Sequence, residues 1–129
     1  MFIEHLAIWC TDLEKMKTFY CSWFNATANT KYFNPVKNFS SYFLSFEKGP
    51  RLELMEMPGI SNNLNDLLKQ YKGLIHFAVS VGSAEEVNRL TEAMRAKGIT
   101  ILGEPRFTGD GYYESVVADP EGNRIEITA

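Results

Sequence analysis

Four side chains stand out as candidates for chemistry: His5, Glu53, His76 and Glu126. His5 and His76 are the only two histidines of the chain. Each opens a similar tetrapeptide, His5-Leu6-Ala7-Ile8 and His76-Phe77-Ala78-Val79, and the two lie 71 residues apart. Glu53 and Glu126 belong to a second recurring motif, Gly49-Pro50-Arg51-Leu52-Glu53-Leu54 and Gly122-Asn123-Arg124-Ile125-Glu126-Ile127, spaced by 73 residues. Two motifs in the same order at nearly one offset describe a repeated unit. A lone histidine or glutamate on a strand is ordinarily a core or solvated residue; recurrence at matched places lifts these four above that reading. Two imidazoles and two carboxylates form an N₂O₂ donor set that suits Zn, Ni, Co, Mn or Fe. Positions left open to water or a substrate oxygen are what a catalytic Lewis acid needs, whereas a structural site is closed.

The elements that must carry these residues follow from hydrophobic pattern. Residues 2–9 read as a strand. Thr11 and Glu14 have the spacing of a capping box, and Leu13, Met16, Phe19, Tyr20, Trp23 and Phe24 then follow a helical stripe that stops near Asn25. Strands are expected at about 28–33, 39–46 and 51–57, with Lys48-Gly49-Pro50 as the last turn. The second half repeats the order. A strand over 74–81 precedes a Ser83/Glu86 capping box, and Val87, Leu90, Ala93 and Met94 mark a helical face before Gly98. Strands near 99–104, 112–118 and 124–128 complete it, with Asp119-Pro120-Glu121-Gly122 as the turn.

Each half thus reads as βαβββ, giving an α+β fold in one domain over 1–129. Module one spans about 1–58 and module two about 74–129. The linker, about 59–73, has a short helical turn expected at Leu64–Leu68. Strand alternation places His5 with Ala7 and Trp9, and Glu53 between two leucines that turn the other way. If the first and last strands of each module are neighbours, His5 meets Glu53 and His76 meets Glu126. A pseudo-twofold between modules would unite the pairs. Arg51 and Arg124 read as exposed at strand starts.

Composition excludes several classes. Thirteen basic against sixteen acidic residues give a net charge of −3, with no basic run to grip nucleic acid or an anionic membrane surface. The first residues lack the charged and apolar regions of a secretory signal, and no apolar stretch approaches a membrane span. Cys10 and Cys21 fit neither a CxxC site nor a disulfide framework, so they read as reduced thiols of a cytoplasmic protein.

The motifs together resemble the vicinal-oxygen-chelate superfamily, which includes glyoxalases, bleomycin-resistance proteins and extradiol dioxygenases. The residues that carry the likeness are His5-Leu6-Ala7-Ile8 with Thr11-Asp12-Leu13, Arg51-Leu52-Glu53-Leu54, His76-Phe77-Ala78-Val79, and the run from Asp119 to Glu126. The resemblance implies paired βαβββ modules forming a curved mixed sheet around a metal cavity, commonly in a homodimer. It is nearest to bacterial glyoxalase I (lactoylglutathione lyase). That implies one divalent metal, Zn or Ni first, on His5, Glu53, His76 and Glu126. Glu126 would be the catalytic base and Glu53 the partner carboxylate. The implied reaction is a lyase/isomerase step on a hemithioacetal or other small carbonyl compound, through a metal-bound enediolate. The arginine expected near Ile8-Trp9-Cys10 is absent, leaving Lys31 as an anion partner. Trp9, Phe33, Phe43, Met55 and Tyr113 are candidates to line the substrate pocket. The competing readings are a drug-binding protein of the bleomycin-resistance type without catalysis, and an extradiol-type dioxygenase. A fourth protein ligand would crowd the dioxygenase's iron.

Overall fold

The structure, a computed structural model, describes residues 1–129. It divides into two compact units, Met1–Asn63 and Leu64–Ala129, the boundary falling inside the segment read as a linker. The fold is α+β, with one helix and one mixed sheet in each unit.

In the first unit, β1 (His5–Trp9) leads into α1 (Leu13–Phe24). Then come β2 (Thr27–Ala28), β3 (Tyr32–Asn34), β4 (Phe39–Ser45) and β5 (Arg51–Glu56). The sheet order is β1-β5-β4-β2, with β3 also on β4. β1 runs parallel to β5, which requires a long crossover between them, and α1 with β2–β4 supplies it.

The strand expected over 28–33 is split into β2 and β3. Asn29 explains the break. Its side-chain oxygen accepts the Phe43 N–H at 2.8 Å, and its own N–H donates to the Phe43 carbonyl at 3.0 Å. A side chain that satisfies its neighbour's backbone replaces one rung of the ladder.

The start of α1 also differs from the capping-box reading. Asp12, extended at φ −130°, is the N-cap, and its carboxylate accepts the Lys15 N–H at 2.9 Å. Either residue type can cap a helix; entry one residue later leaves Leu13 in the first turn and buried. α1 ends at Asn25, left-handed at φ 52°, a conformation that Asn tolerates. Its buried face is Leu13, Met16, Phe19, Tyr20 and Phe24, with Trp23 only partly covered. That face packs on Leu44, Leu52 and Leu54 of the sheet.

The second unit repeats the plan: β6 (His76–Ser80), α2 (Ala84–Ala96), β7 (Ile101–Phe107), β8 (Tyr113–Ala118) and β9 (Arg124–Thr128). Its order is β6-β9-β8-β7, again with the first strand parallel to the last. The Ser83 hydroxyl caps α2 by accepting the Glu86 N–H at 3.2 Å. Gly98, at φ +78°, takes the left-handed turn just past the helix. Thr91, rather than Ala93, completes the buried face with Val87, Leu90 and Met94. Burial of its hydroxyl is tolerated because it donates to the Val87 carbonyl at 2.7 Å and lies 2.7 Å from Ser115 Oγ. Pro105 sits on β7, an edge strand, where a missing N–H does least harm.

Between the modules the short helix expected at Leu64–Leu68 is a turn. Asp66 makes it, its carboxylate accepting the Leu68 N–H at 2.9 Å and its carbonyl the Lys69 N–H at 3.1 Å. Cys10 and Cys21 form no disulfide, and the Cys10 thiol donates to the Ile8 carbonyl at 3.7 Å. No helix is long and apolar enough to cross a membrane.

Candidate metal and substrate site

The two modules bring histidine and glutamate together by the same register. In the first, β1 lies beside β5 with His5 opposite Arg51 and Ala7 opposite Glu53. In the second, β6 lies beside β9 with His76 opposite Arg124 and Ala78 opposite Glu126. Each glutamate is thus one diagonal step from its histidine. Alternation puts both on the sheet face that the helix does not cover. The flanking Leu52 and Leu54, and Ile125 and Ile127, turn into the core and are almost wholly buried.

His5 Nε2 is 3.8 Å from Glu53 Oε2, and His76 Nε2 is 3.2 Å from Glu126 Oε2. Ligands about 2.0–2.2 Å from one metal at right or tetrahedral angles lie roughly 3–3.5 Å apart. The second pair already has that separation and the first needs only a small closing movement. The donor chemistry fits a divalent ion. Each unit supplies a pair, and no group of three or more His, Cys, Asp or Glu side chains is gathered in the chain.

The carboxylates are well shielded, with side-chain exposures of 15% for Glu53 and 18% for Glu126. A glutamate so covered ordinarily requires a charge partner. Burial pushes the Glu126 carboxyl above its ordinary pKa. The His76 ring opposes that shift, Glu114 adds to it, and Arg106 and Asp110 act more weakly, down and up respectively.

Around His76 and Glu126 the second unit forms a cavity of about 380 Å³. Gln70, Leu102, Arg106 and Arg124 help to line it. Arg106 reaches Glu114 Oε1 at 3.3 Å and the Glu104 carbonyl at 3.4 Å, both long bonds. Gly103 makes room for it, because a Cβ there would stand 3.1 Å from Arg106 Nη1. Arg124 donates to the Leu67 carbonyl at 2.6 Å, tying the inter-module segment to the cavity wall.

The remaining candidates divide by strand parity. Phe43 pairs with Glu53 and Met55 with Trp9, so all three candidates, Trp9, Phe43 and Met55, share the face of His5. The Phe43 ring meets the His5 ring edge-on at 5.3 Å. Phe33, Lys31 and Tyr113 do not join them. Phe33 pairs with Ser40, which pairs with Glu56, and this is the parity of the opposite face. Lys31 extends to Glu14 on α1 at 3.1 Å and lies over the Tyr42 ring. Lys17 first, with Lys31 and Tyr42, holds the Glu14 carboxyl down at about 2, against the opposing effect of burial. Tyr113 donates its hydroxyl to Asn88 of α2 at 2.9 Å.

Arg51 and Arg124, expected to be exposed, are half-buried on the site face. Sequence reasoning also missed Glu4, Arg106 and Glu114. Glu114 shares the face of Glu126 because it stands two residues before Val116, the strand partner of Glu126, a register that the mixed pattern of β8 does not reveal.

The sequence matches a known family. The model of the glyoxalase/bleomycin resistance protein/dioxygenase superfamily covers residues 2–127. The chain belongs to that superfamily. Among curated superfamily relatives, the lactoylglutathione lyase GLX1 of Arabidopsis thaliana is 29% identical over 132 residues. That match takes in 95% of this chain but 42% of the plant protein, so the chain spans less than half of that relative. Among solved structures, a glyoxalase family protein from Enterococcus faecalis aligns with a TM-score of 0.77 at 23% identity, over 98% of this chain and 96% of that one. Glyoxalase I from Zea mays aligns at 0.78 with 23% identity, over 98% of this chain and 44% of the maize protein. At these identities the two structures speak for the superfamily fold.

Proposed function

We propose that this chain is a metal-dependent lyase or isomerase of the glyoxalase type, acting on a hemithioacetal or a related small carbonyl compound. The observation that supports the reading best is the His–Glu pair built twice on one register, each glutamate shielded and facing an imidazole nitrogen. His5, Glu53, His76 and Glu126 would hold one divalent ion, Zn or Ni by preference, with homodimerisation as part of the proposal. Bound there, such an ion supplies Lewis-acid polarisation of the substrate carbonyl.

The chain's own residues supply the rest. Glu126 takes the proton from the carbon beside the carbonyl: the C–H bond breaks, its electron pair moves toward the carbonyl, and the proton rests on a carboxylate oxygen. Return of that proton to the neighbouring carbon completes an isomerisation with no outside oxidant or reductant. Burial raises the Glu126 carboxyl above its ordinary pKa, which favours it as a proton acceptor. Glu53 balances charge from the other pair. Arg106 offers a cation within the cavity, which suits a substrate bearing a carboxylate, as glutathione does. The lactoylglutathione lyase relative supports the same substrate class.

Turnover of the hemithioacetal of methylglyoxal and glutathione tests this, run beside a panel of small aldehydes and ketoacids. Turnover is expected to vanish after chelation and to return with Zn²⁺ or Ni²⁺. Full turnover by metal-free protein would overturn the reading. Tight ligand binding that survives metal removal, without turnover, would favour the drug-binding alternative.

A further inference from the structure

Although their registers match, the two histidines are held differently. Glu4, just before β1, puts one carboxylate oxygen 2.5 Å from His5 Nδ1. Its other oxygen accepts from Arg51, at 2.8 Å from Nε and also from Nη2. The backbone reinforces the contact, with the Arg51 N–H donating to the Glu4 carbonyl at 3.0 Å. The Arg51 guanidinium also lies 4.1 Å above the centre of the Phe43 ring, the same ring that meets His5 edge-on. His5 is therefore gripped from two sides, and one arginine braces both grips.

The second module builds nothing equivalent from the matching positions. Ile75 stands where Glu4 does, Val116 takes the place of Phe43 opposite the glutamate, and Arg124 spends its guanidinium on the Leu67 and Lys69 carbonyls.

We infer that Glu4 and Arg51 are positioning residues that fix His5 as its Nδ1–H tautomer, with the Nε2 lone pair presented toward Glu53. An imidazole whose outer nitrogen donates to a carboxylate is oriented and made more basic at the other nitrogen, the usual way a metal-ligating histidine is tuned. The consequence for metal affinity rests on the metal reading above; the tautomer does not. One module then carries a preset ligand pair, and the other carries the pair that borders the cavity.

The test uses the full chain freed of metal, about two pH units above the ordinary imidazole pKa of ~6.5. Long-range ¹H–¹⁵N spectra resolve the two imidazoles, assigned with His76→Gln. Wild-type His5 is expected as the Nδ1–H tautomer. Glu4→Ala should move it to the Nε2–H form without moving His76, and Glu4→Gln, whose amide oxygen still accepts, should restore it. A wild-type His5 already in the Nε2–H form, or one indifferent to Glu4→Ala, would overturn the inference. Chelator competition for Zn²⁺ adds a second readout. Glu4→Ala should weaken binding about 10–100-fold, with Glu4→Gln recovering most of it, and unchanged affinity would contradict the inference. If wild-type protein bound neither Zn²⁺ nor Ni²⁺, the metal reading would fall, and the spectra alone would decide for or against the clamp.

Discussion

Glu126→Gln is expected to lower kcat by about 10²–10⁴-fold, the range that a positioned general base contributes, and to leave the circular dichroism spectrum unchanged. The amide is nearly isosteric and can still lie between Ile125 and Ile127, so the strand keeps its place. What it loses is the capacity to take a proton. In the native carboxylate, burial opposes the negative charge and raises proton affinity, while the His76 ring 3.2 Å away works against that. Glu53→Gln should be milder in turnover and comparable in metal content, because Glu53 is assigned charge balance and no proton. Equal kcat for wild type and Glu126→Gln in a steady-state assay would remove Glu126 from the chemistry.

Ile127→Ala is expected to cost about 2–5 kcal/mol of stability, the usual range for emptying a fully buried aliphatic site. Ile127 has no exposed surface and shares its face with Ile125, Val117 and Ser115 beneath α2. That is a large part of the roughly 5–15 kcal/mol that a domain of this size holds in total. The denaturation midpoint in urea should fall while its slope stays constant, and the fraction still folded should keep its kcat. A loss under about 1 kcal/mol would mean that the cavity left behind collapses easily, or that Ile127 faces away from the core. The second outcome would also put Glu126 on the wrong side of β9, so this variant tests the placement of the base by way of its neighbour.

Strand alternation is why the two His–Glu pairs of the candidate site could be read from sequence. A charged residue between two aliphatic ones, as in Leu52-Glu53-Leu54 and Ile125-Glu126-Ile127, leaves one choice of face, and the structure has that face. The pairing of first and last strand was a condition of that reading, and β1 beside β5 and β6 beside β9 meet it. Where alternation was interrupted or ambiguous, the reading failed. Phe33 falls on the opposite face because the register on β4 shifts by one residue between β2 and β3, across the break around Asn29. On β8 both faces carry apolar and polar residues, Tyr113, Ser115 and Val117 against Glu114, Val116 and Ala118, so pattern alone could not choose between them. Lys31 went to Glu14 because a long cationic side chain seeks the nearest carboxylate in space, and α1 brings one there. Glu4 was invisible for a different reason. It precedes the strand, and its role depends on Arg51 arriving through a parallel pairing 47 residues later.

Metal content is the most direct measurement of the central claim. Inductively coupled plasma mass spectrometry would be run on untagged protein purified without chelator, beside the His5→Ala/His76→Ala double variant. The account predicts about one Zn, Ni, Co, Mn or Fe per wild-type chain, and almost none in a double variant that remains folded. No bound metal in the wild type, even after incubation with Zn²⁺ and Ni²⁺, would contradict it, and so would equal metal in both proteins.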